Sequence, residues 1–389
     1  MNIVFISNFY NHHQSFISRK LYELTDGNYR FIATTEIPEE RKKLGYREHV
    51  ESFVCNYGNE GKSQGSIQKW IDEADVVIVG SAPEALLANR KRGKKLIFRY
   101  AEHPSKKEFR LMRFLLRILN CQRKNPSKVP IYMLCASAYT ASDYAKMGLF
   151  KGKTYKWGYF PECKRYDNID ALIIPKKPRE ILWCGRFLDW KHPDDVLTVA
   201  KRLKNENIEF HVNIIGAGEM ADTLKQFVLK NDLSEQVSLW GSMFPEKVRG
   251  HMERAGIYLF TSDRKEGWGA VLNEAMNSGC AVVASSDAGA TPYLIRHNEN
   301  GMCYRSGDVE ALYQNVKYLL DHPEEQLRMG RAAYKTIVEE WNADVAAERL
   351  IALANRILEG DKCPDLFSDG PCSYAPYKSI CLLHKTKEK

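Results

Sequence analysis

Short runs of apolar, β-branched residues alternate with stretches of helical period along most of the chain. Ile3–Ser7 and Ala74–Gly80 read as buried strands, the second closed by a glycine. Arg30–Thr34, Lys95–Tyr100 and Ile131–Ala136 are further strands, with helices over Ser15–Leu24 and Pro83–Arg92 between them. Around Trp157–Pro178 the period weakens, and Gly158, Pro161, Pro175 and Pro178 mark a linker. The alternation then restarts. Glu180–Cys184, Phe210–Ile215, Val237–Trp240, Ile257–Thr261 and Ala281–Ser285 are strands. His192–Asn205, Met220–Asn231, Pro245–Arg254 and Val271–Ser278 are the helices that separate them. Val309–Asp321, Pro323–Val338 and Asn342–Glu359 complete the helical part.

This rhythm predicts an α/β protein of two doubly wound, Rossmann-like domains, each a parallel sheet covered by helices. The expected organisation is an N-terminal domain over 1–160, a linker over 161–178 and a second domain over 179–341. A closing helix over 342–360 and a tail over 361–389, with Cys363, Cys372 and Cys381, follow. Two such halves place a central cleft between the carboxyl ends of their strands, where these sheets bind ligands. Functional residues are therefore expected just after strands.

Composition narrows the class. The 389 residues are 44% hydrophobic and 27% charged, which suits a folded chain and excludes a disordered or fibrous one. No run of about 18 apolar residues is present to span a membrane. Met1–Ser7 begins a strand at once, without the pattern of a signal peptide. The ten cysteines contain no CxxC pair, so free thiols and a cytoplasmic setting are expected.

Three segments carry candidate chemistry. Asp263–Met276 reads Asp-Arg-Lys-Glu-Gly-Trp-Gly-Ala-Val-Leu-Asn-Glu-Ala-Met and follows the strand Ile257–Thr261. Gly267 and Gly269 flank Trp268 and permit close backbone approach, and the helix that begins after them offers unpaired N–H groups to a phosphate. Glu266 lies in the loop and Glu274 in the second turn of the helix. One carboxylate can face a ligand at the loop while the other accepts from a sugar hydroxyl. Alone, the spacing equally describes an acid favoured by the helix dipole and an ordinary exposed Glu. In Cys184–Lys191, Arg186 and Lys191 follow the first strand of the second half. Arg as a fork and Lys as a point charge suit a diphosphate, although two solvated surface cations would look the same. In Ile215–Ala221, Gly216, Gly218 and Ala221 match GxGxxA, with Glu219 beside Gly218. The next strand, Val237–Trp240, ends without the acid that would hold an adenosine ribose, which argues against a nicotinamide cofactor.

Together these segments resemble the retaining nucleotide-sugar glycosyltransferases of family four, of GT-B fold and bacterial polysaccharide-biosynthesis type. The order strand–Gly-Arg…Lys, strand–Gly-x-Gly-Glu, then Glu-x7-Glu is that of the family, most specifically over Glu180–Pro292. The resemblance implies that Arg186 and Lys191 hold the donor diphosphate, and that Gly269 and Ala270 add backbone contacts. It implies that Glu274 takes the ribose, Glu266 meets the donor sugar, and the loop Gly241–Pro245 borders the base. Gly218, Glu219, Gly267 and Trp268 complete the expected donor set. A UDP-sugar donor, a glycan or lipid-linked acceptor hydroxyl and no metal or other cofactor follow, since no Asp-x-Asp pair stands in a suitable loop. In the first half, Asn8, His12 and His13 stand where the family often has a glycine-rich loop, and His103 stands where many relatives place an active-site His. The choice among these histidines stays open.

Charge adds one feature. The segment Ser105–Lys128 holds eight cations and a single acid, Glu108, and so carries +7 of the chain's +8. Arg110, Arg113 and Arg117 share one helical face, and Phe109, Met112, Leu115, Leu116 and Leu119 line another. Such a helix can lie on an anionic membrane, at the inner face of a bilayer, or pack on a core with its basic side solvated. No nucleic-acid reader module accompanies the charge, so nucleic acid is not an expected partner. The rival functions are a nucleotide-sugar epimerase on the same fold, a non-catalytic sugar-binding protein at a membrane surface, and a nicotinamide dehydrogenase.

Overall fold

The computed structural model describes residues 1–39, 51–57, 64–104 and 111–376, with the side chains of residues 64 and 111–115 left out. The described chain divides into two units, Met1–Pro161 with residues 342–376, and Glu162–Trp341.

In the first unit, Ile3–Ser7 (β1), Tyr29–Ala33 (β2), Val54–Asn56 (β3), Val76–Val79 (β4), Ile97–Ala101 (β5), Ile131–Cys135 (β6) and Thr154–Lys156 (β7) form one sheet. Their order is β3-β2-β1-β4-β5-β6-β7, and every pairing is parallel. β1, β4 and β6 are buried at every position. That is why they read as unbroken apolar runs: a parallel sheet with helices on both faces has no wet side. Arg90, buried beside this sheet, donates to the carbonyls of Ile71, Ala74, Asp75 and Leu96, so its charge rests on four backbone acceptors.

In the second unit, Lys177–Cys184 (β8), His211–Ile215 (β9), Val237–Gly241 (β10), Ala255–Phe260 (β11), Ala281–Ser285 (β12) and Met302–Tyr304 (β13) take the order β10-β9-β8-β11-β12-β13. These pairings are also all parallel. The core on one side joins Ile181, Trp183 and Ile214 of the sheet to Val196, Leu197, Leu224 and Val316 of its helices. Each sheet reverses its strand order once, between β1 and β4 in the first and between β8 and β11 in the second. The carboxyl ends of strands at such a reversal diverge and leave room for a ligand.

Two stretches hold more structure than the sequence shows. Within the expected linker 161–178, residues 162–178 cluster with the second unit. Ile169–Ile173 is a helix capped by Asn168, β8 already begins at Lys177, and Tyr166 Oη donates to Glu253 Oε1 at 2.6 Å. That helix has only five residues, too few to show a period. Nor are residues 361–376 a loose tail. Cys372 N–H donates to the Lys156 carbonyl, Lys156 N–H to the Ser373 carbonyl and Ala375 N–H to the Thr154 carbonyl, at 2.8–2.9 Å, so this stretch runs antiparallel along the outer edge of β7. Lys156 pairs with Asp369, and the hydroxyls of Tyr132 and Tyr155 donate to the carbonyls of Lys362 and Pro364. Cys381 lies outside the described residues. No disulfide joins any two of the nine described cysteines.

An uncovered strand edge invites pairing with another chain. Truncation after Gly360 is predicted to lower the melting temperature by more than about 4 °C and to raise self-association above that of the full chain. Calorimetry and size-exclusion chromatography check this, and identical traces for both proteins would show that the strap stabilises nothing.

Candidate active site

The second sheet releases two chains at its reversal. The one leaving β8 runs Gly185–His192, and the one leaving β11 runs Thr261–Gly269 into the helix Ala270–Asn277. Asp263 N–H donates to the Trp190 carbonyl at 2.9 Å, which ties the two chains together. Their side chains meet as well. Lys191 Nζ lies 2.5 Å from Glu266 Oε2, and both are nearly withdrawn from water, at 12% and 13% exposure. Ser262 Oγ donates to the same Glu266 oxygen at 3.2 Å. The sequence placed Lys191 and Glu266 near different parts of a ligand; the structure makes them one ion pair. Arg186 is exposed, and its guanidinium has no partner among the described residues.

Gly269 caps the helix Ala270–Asn277 at φ +92°, and a Cβ there would stand 2.3 Å from the ring of Phe260. A glycine cap supplies no side-chain acceptor. The amides of Gly269, Ala270 and Val271 accordingly have no acceptor among the described residues. Such an end attracts an anion through its free N–H groups and the helix dipole. Gly289 N–H to the Glu266 carbonyl and Ala290 N–H to the Trp268 carbonyl, both 3.2 Å, strap this loop to the chain leaving β12.

Glu274 lies one turn further along the helix. Its carboxylate accepts no hydrogen bond among the described residues. Burial raises its pKa, the Arg249 guanidinium partly opposes that, and Glu162 adds to it. The carboxylate is felt at the end of β8, where burial first and Glu274 second push the Cys184 thiol up to about 12. A half-buried carboxylate without donors is ready for hydroxyls that donate to it. Arg249 is itself buried and donates to Asn277 Oδ1, Ser278 Oγ and the Glu274 carbonyl. It is held at the helix end where a cation is favoured.

The Trp268 side chain lies in the core. Its indole is 0% exposed, donates to Asn273 Oδ1 at 2.9 Å and packs beside Trp341 and Tyr293. Gly267 beside it is also buried. Gly218 is set by a close approach of two chains. A Cβ at Gly218 would stand 2.5 Å from the Phe187 carbonyl oxygen, and one at Gly216 would stand 1.8 Å from that of Gly185. The chain leaving β9 therefore lies directly on the chain leaving β8, with Phe187 N–H bonded to the Ala217 carbonyl at 2.8 Å. Glu219 is exposed beyond it.

In the first unit, His103 follows β5 but its ring is 1% exposed, 3.0 Å from Ser137 Oγ and edge-on to Tyr139. Asn8, His12 and His13 follow β1 and are half-buried. Asn11 caps their helix, accepting from His13 N–H at 2.8 Å. The His13 ring stacks on Tyr159, whose hydroxyl donates to Glu102 Oε1 at 2.6 Å. Tyr159 and Glu102 thus join a group that the sequence showed only as isolated residues. Arg110 and the side chain of Arg113 lie outside the description, whereas Arg117 is exposed and donates to the Pro104 carbonyl at 2.8 Å.

Among the described residues, His192, Asp194 and Asp195 bring three ligand-type atoms within 4.8 Å of one another. Asp194 and Asp195 occupy the first turn of the helix Pro193–Asn205, where the helix dipole already accounts for acids and disfavours a cation.

Residues 165–336 match the family described as glycosyl transferases group 1. The amylovoran biosynthesis glycosyltransferase AmsK of Erwinia amylovora is 28% identical over 207 residues, 52% of this chain and 50% of that protein. A GDP-mannose-dependent alpha-(1-6)-phosphatidylinositol monomannoside mannosyltransferase of Mycobacterium tuberculosis is 22% identical over 176 residues, 44% of this chain and 46% of that one. The chain spans about half the length of the curated relatives it matches. Among solved structures, Anabaena Alr3699/HepE in complex with UDP superposes with a TM-score of 0.67 at 13% identity, covering 93% of this chain and all of that one. The two parallel α/β units are those of the GT-B glycosyltransferase fold.

Proposed function

We propose that this chain is a glycosyltransferase that moves a sugar from a nucleotide donor, a UDP-sugar, to a hydroxyl of a glycan or lipid-linked acceptor, with retention of anomeric configuration and without a metal ion. The observation that carries the reading is the grouping at the second sheet's reversal. A free cation, an ion-paired lysine and carboxylate, an uncapped helix N-terminus and a half-buried carboxylate without donors all belong to the two chains released there. The match to the glycosyl transferases group 1 family covers the same residues. The names of its relatives favour bacterial polysaccharide assembly. One relative is named for GDP-mannose and one neighbour was solved with UDP, so both nucleotides belong in the first binding assay.

In this reading the leaving diphosphate gains charge as the sugar bond breaks. Arg186, Lys191 and the amides of Gly269 and Ala270 meet that charge, and donors fixed before reaction need no reorganisation. Lys191 would then neutralise Glu266 on one side and phosphate on the other. Glu274 would accept from the ribose hydroxyls, and Glu266 would act beside the donor sugar. An epimerase would convert the UDP-sugar with no acceptor present, and a non-catalytic binder would neither transfer nor hydrolyse it.

A membrane surface belongs to the same proposal. On the helix Leu111–Lys124, Leu116 and Leu119 are each 63% exposed, while Ile118 and Cys121 turn to the core. The apolar residues that face outward stand beside Arg117, and the basic amphipathic pattern continues into residues outside the description. Each cation near an anionic surface contributes about 1 kcal/mol, screened by salt. Co-sedimentation with vesicles is therefore predicted to need anionic lipid, to fade with added salt, and to fall in the Leu116→Ser/Leu119→Ser variant. Equal recovery with neutral and anionic vesicles would end the membrane part.

The two carboxylates are predicted to separate by assay. Glu266→Gln leaves Lys191 without its counter-charge until a diphosphate arrives, so UDP binding should hold or tighten while transfer falls. Glu274→Gln should weaken UDP binding by about 1.5–3 kcal/mol, the range for a charged hydrogen bond. The ribose hydroxyls favour the ionised form of Glu274 and so lower in the complex a pKa that burial raises in the free protein. Affinity is then full above that raised pKa and falls as pH drops through it. The Glu274→Gln variant should lose this part of the slope, and what remains belongs to the phosphates. Calorimetry against pH, with transfer assays on both variants, checks the set. Exchanged behaviour of the two variants would reverse the roles.

A further inference from the structure

Two buried side chains join the two chains of the site from beneath. Trp183, 3% exposed on β8, donates its indole N–H to Thr261 Oγ1 at 2.9 Å. The Thr261 hydroxyl, the first side chain after β11 and 1% exposed, donates in turn to the Lys191 carbonyl at 2.6 Å. One hydroxyl is thus both acceptor and donor, and it spans the reversal from β8 to β11. The residue that accepts its hydrogen bond carries the amine paired with Glu266, and the residue after Thr261 is Ser262, whose hydroxyl donates to the same oxygen of that carboxylate.

We infer that Thr261 is a positioning residue: its hydroxyl locks the backbone of Lys191 against the end of β11 and so fixes the Lys191–Glu266 pair. It cannot touch a ligand from where it lies, because its side chain is sealed between Trp183 and the Lys191 backbone. A hydroxyl that only satisfied a core indole would give a different result. Removing it would then lower the melting temperature and leave the chain bearing Lys191 as it was. The lock stands on the geometry alone; its effect on nucleotide binding rests on the function proposed above.

The test uses the full chain with Thr261→Val, which keeps the shape and removes the hydroxyl, and Thr261→Ser, which keeps the hydroxyl. Amide hydrogen exchange is read over residues 186–192 and 262–268 in the free protein, and UDP affinity by calorimetry. The Val variant should exchange about tenfold faster in both segments, with the strands β9 and β12 unchanged, and should bind UDP about tenfold more weakly. The Ser variant should return both readouts to within about twofold of the wild type. If the Val variant does not fold, Thr261→Cys, with its weaker donor and acceptor, is read in the same way. Unchanged exchange in the Val variant, or faster exchange that Ser does not restore, overturns the lock. A wild type that binds no nucleoside diphosphate overturns the functional reading instead, and the exchange arm still decides the lock.

Discussion

Lys191 and Glu266 come from different strands, and their pairing requires the chains leaving β8 and β11 to lie against each other. Much of the second unit can be read from that requirement. The two strands are neighbours at the one place where strand order reverses, so their carboxyl ends diverge and only side-chain and loop bonds can close the gap. Thr261, Trp183 and the Asp263–Trp190 backbone bond close it below. Gly289 and Ala290 hold the chain from β11 on its other side, and the glycines at 216 and 218 let the chain from β9 press on the chain from β8. A pair so nearly desolvated is costly to break from one side, by about 3–5 kcal/mol, because the remaining charge is left without a partner.

Against that fixed pair, the unmet groups stand out. Arg186, the amides at the head of the helix Ala270–Asn277 and the Glu274 carboxylate have no partners among the described residues. Two of these three features favour an anion and one favours donors. Diphosphate followed by ribose hydroxyls satisfies both demands in one molecule. Its surroundings raise the pKa of the half-buried carboxylate, a condition that donating hydroxyls would relieve.

The sequence made part of this legible. Val76–Val79 and Ala281–Ser285 announce themselves as buried strands because parallel sheets leave no polar face. Val54–Asn56, Thr154–Lys156 and Met302–Tyr304 do not, since three residues at a sheet edge carry no period. Arg186, Lys191, Glu266 and Glu274 were visible as types following strands, but not the ion pair, which depends on how two loops fold back. Trp268 shows the opposite limit. A tryptophan between two glycines looks like a ligand platform, and only packing against Trp341 and Tyr293 reveals it as core. Thr261 and Ser262 gave no signal, because short hydroxyl residues after a strand are common and their partners lie far off in sequence. His103 was visible as a histidine at a strand end, but its burial was not.

The central claim is that the free cation, the paired lysine and the helix end together form a diphosphate site, and calorimetric titration of UDP and GDP into the wild type and Arg186→Ala tests it most directly. Arg186 is exposed and unpartnered among the described residues, so its removal should leave the melting temperature unchanged. The account predicts binding of at least one of the two nucleotides to the wild type and an affinity at least about tenfold weaker in the variant, the loss of one charged hydrogen bond. Equal affinity in both proteins, or no binding of either nucleotide to the wild type, would contradict it.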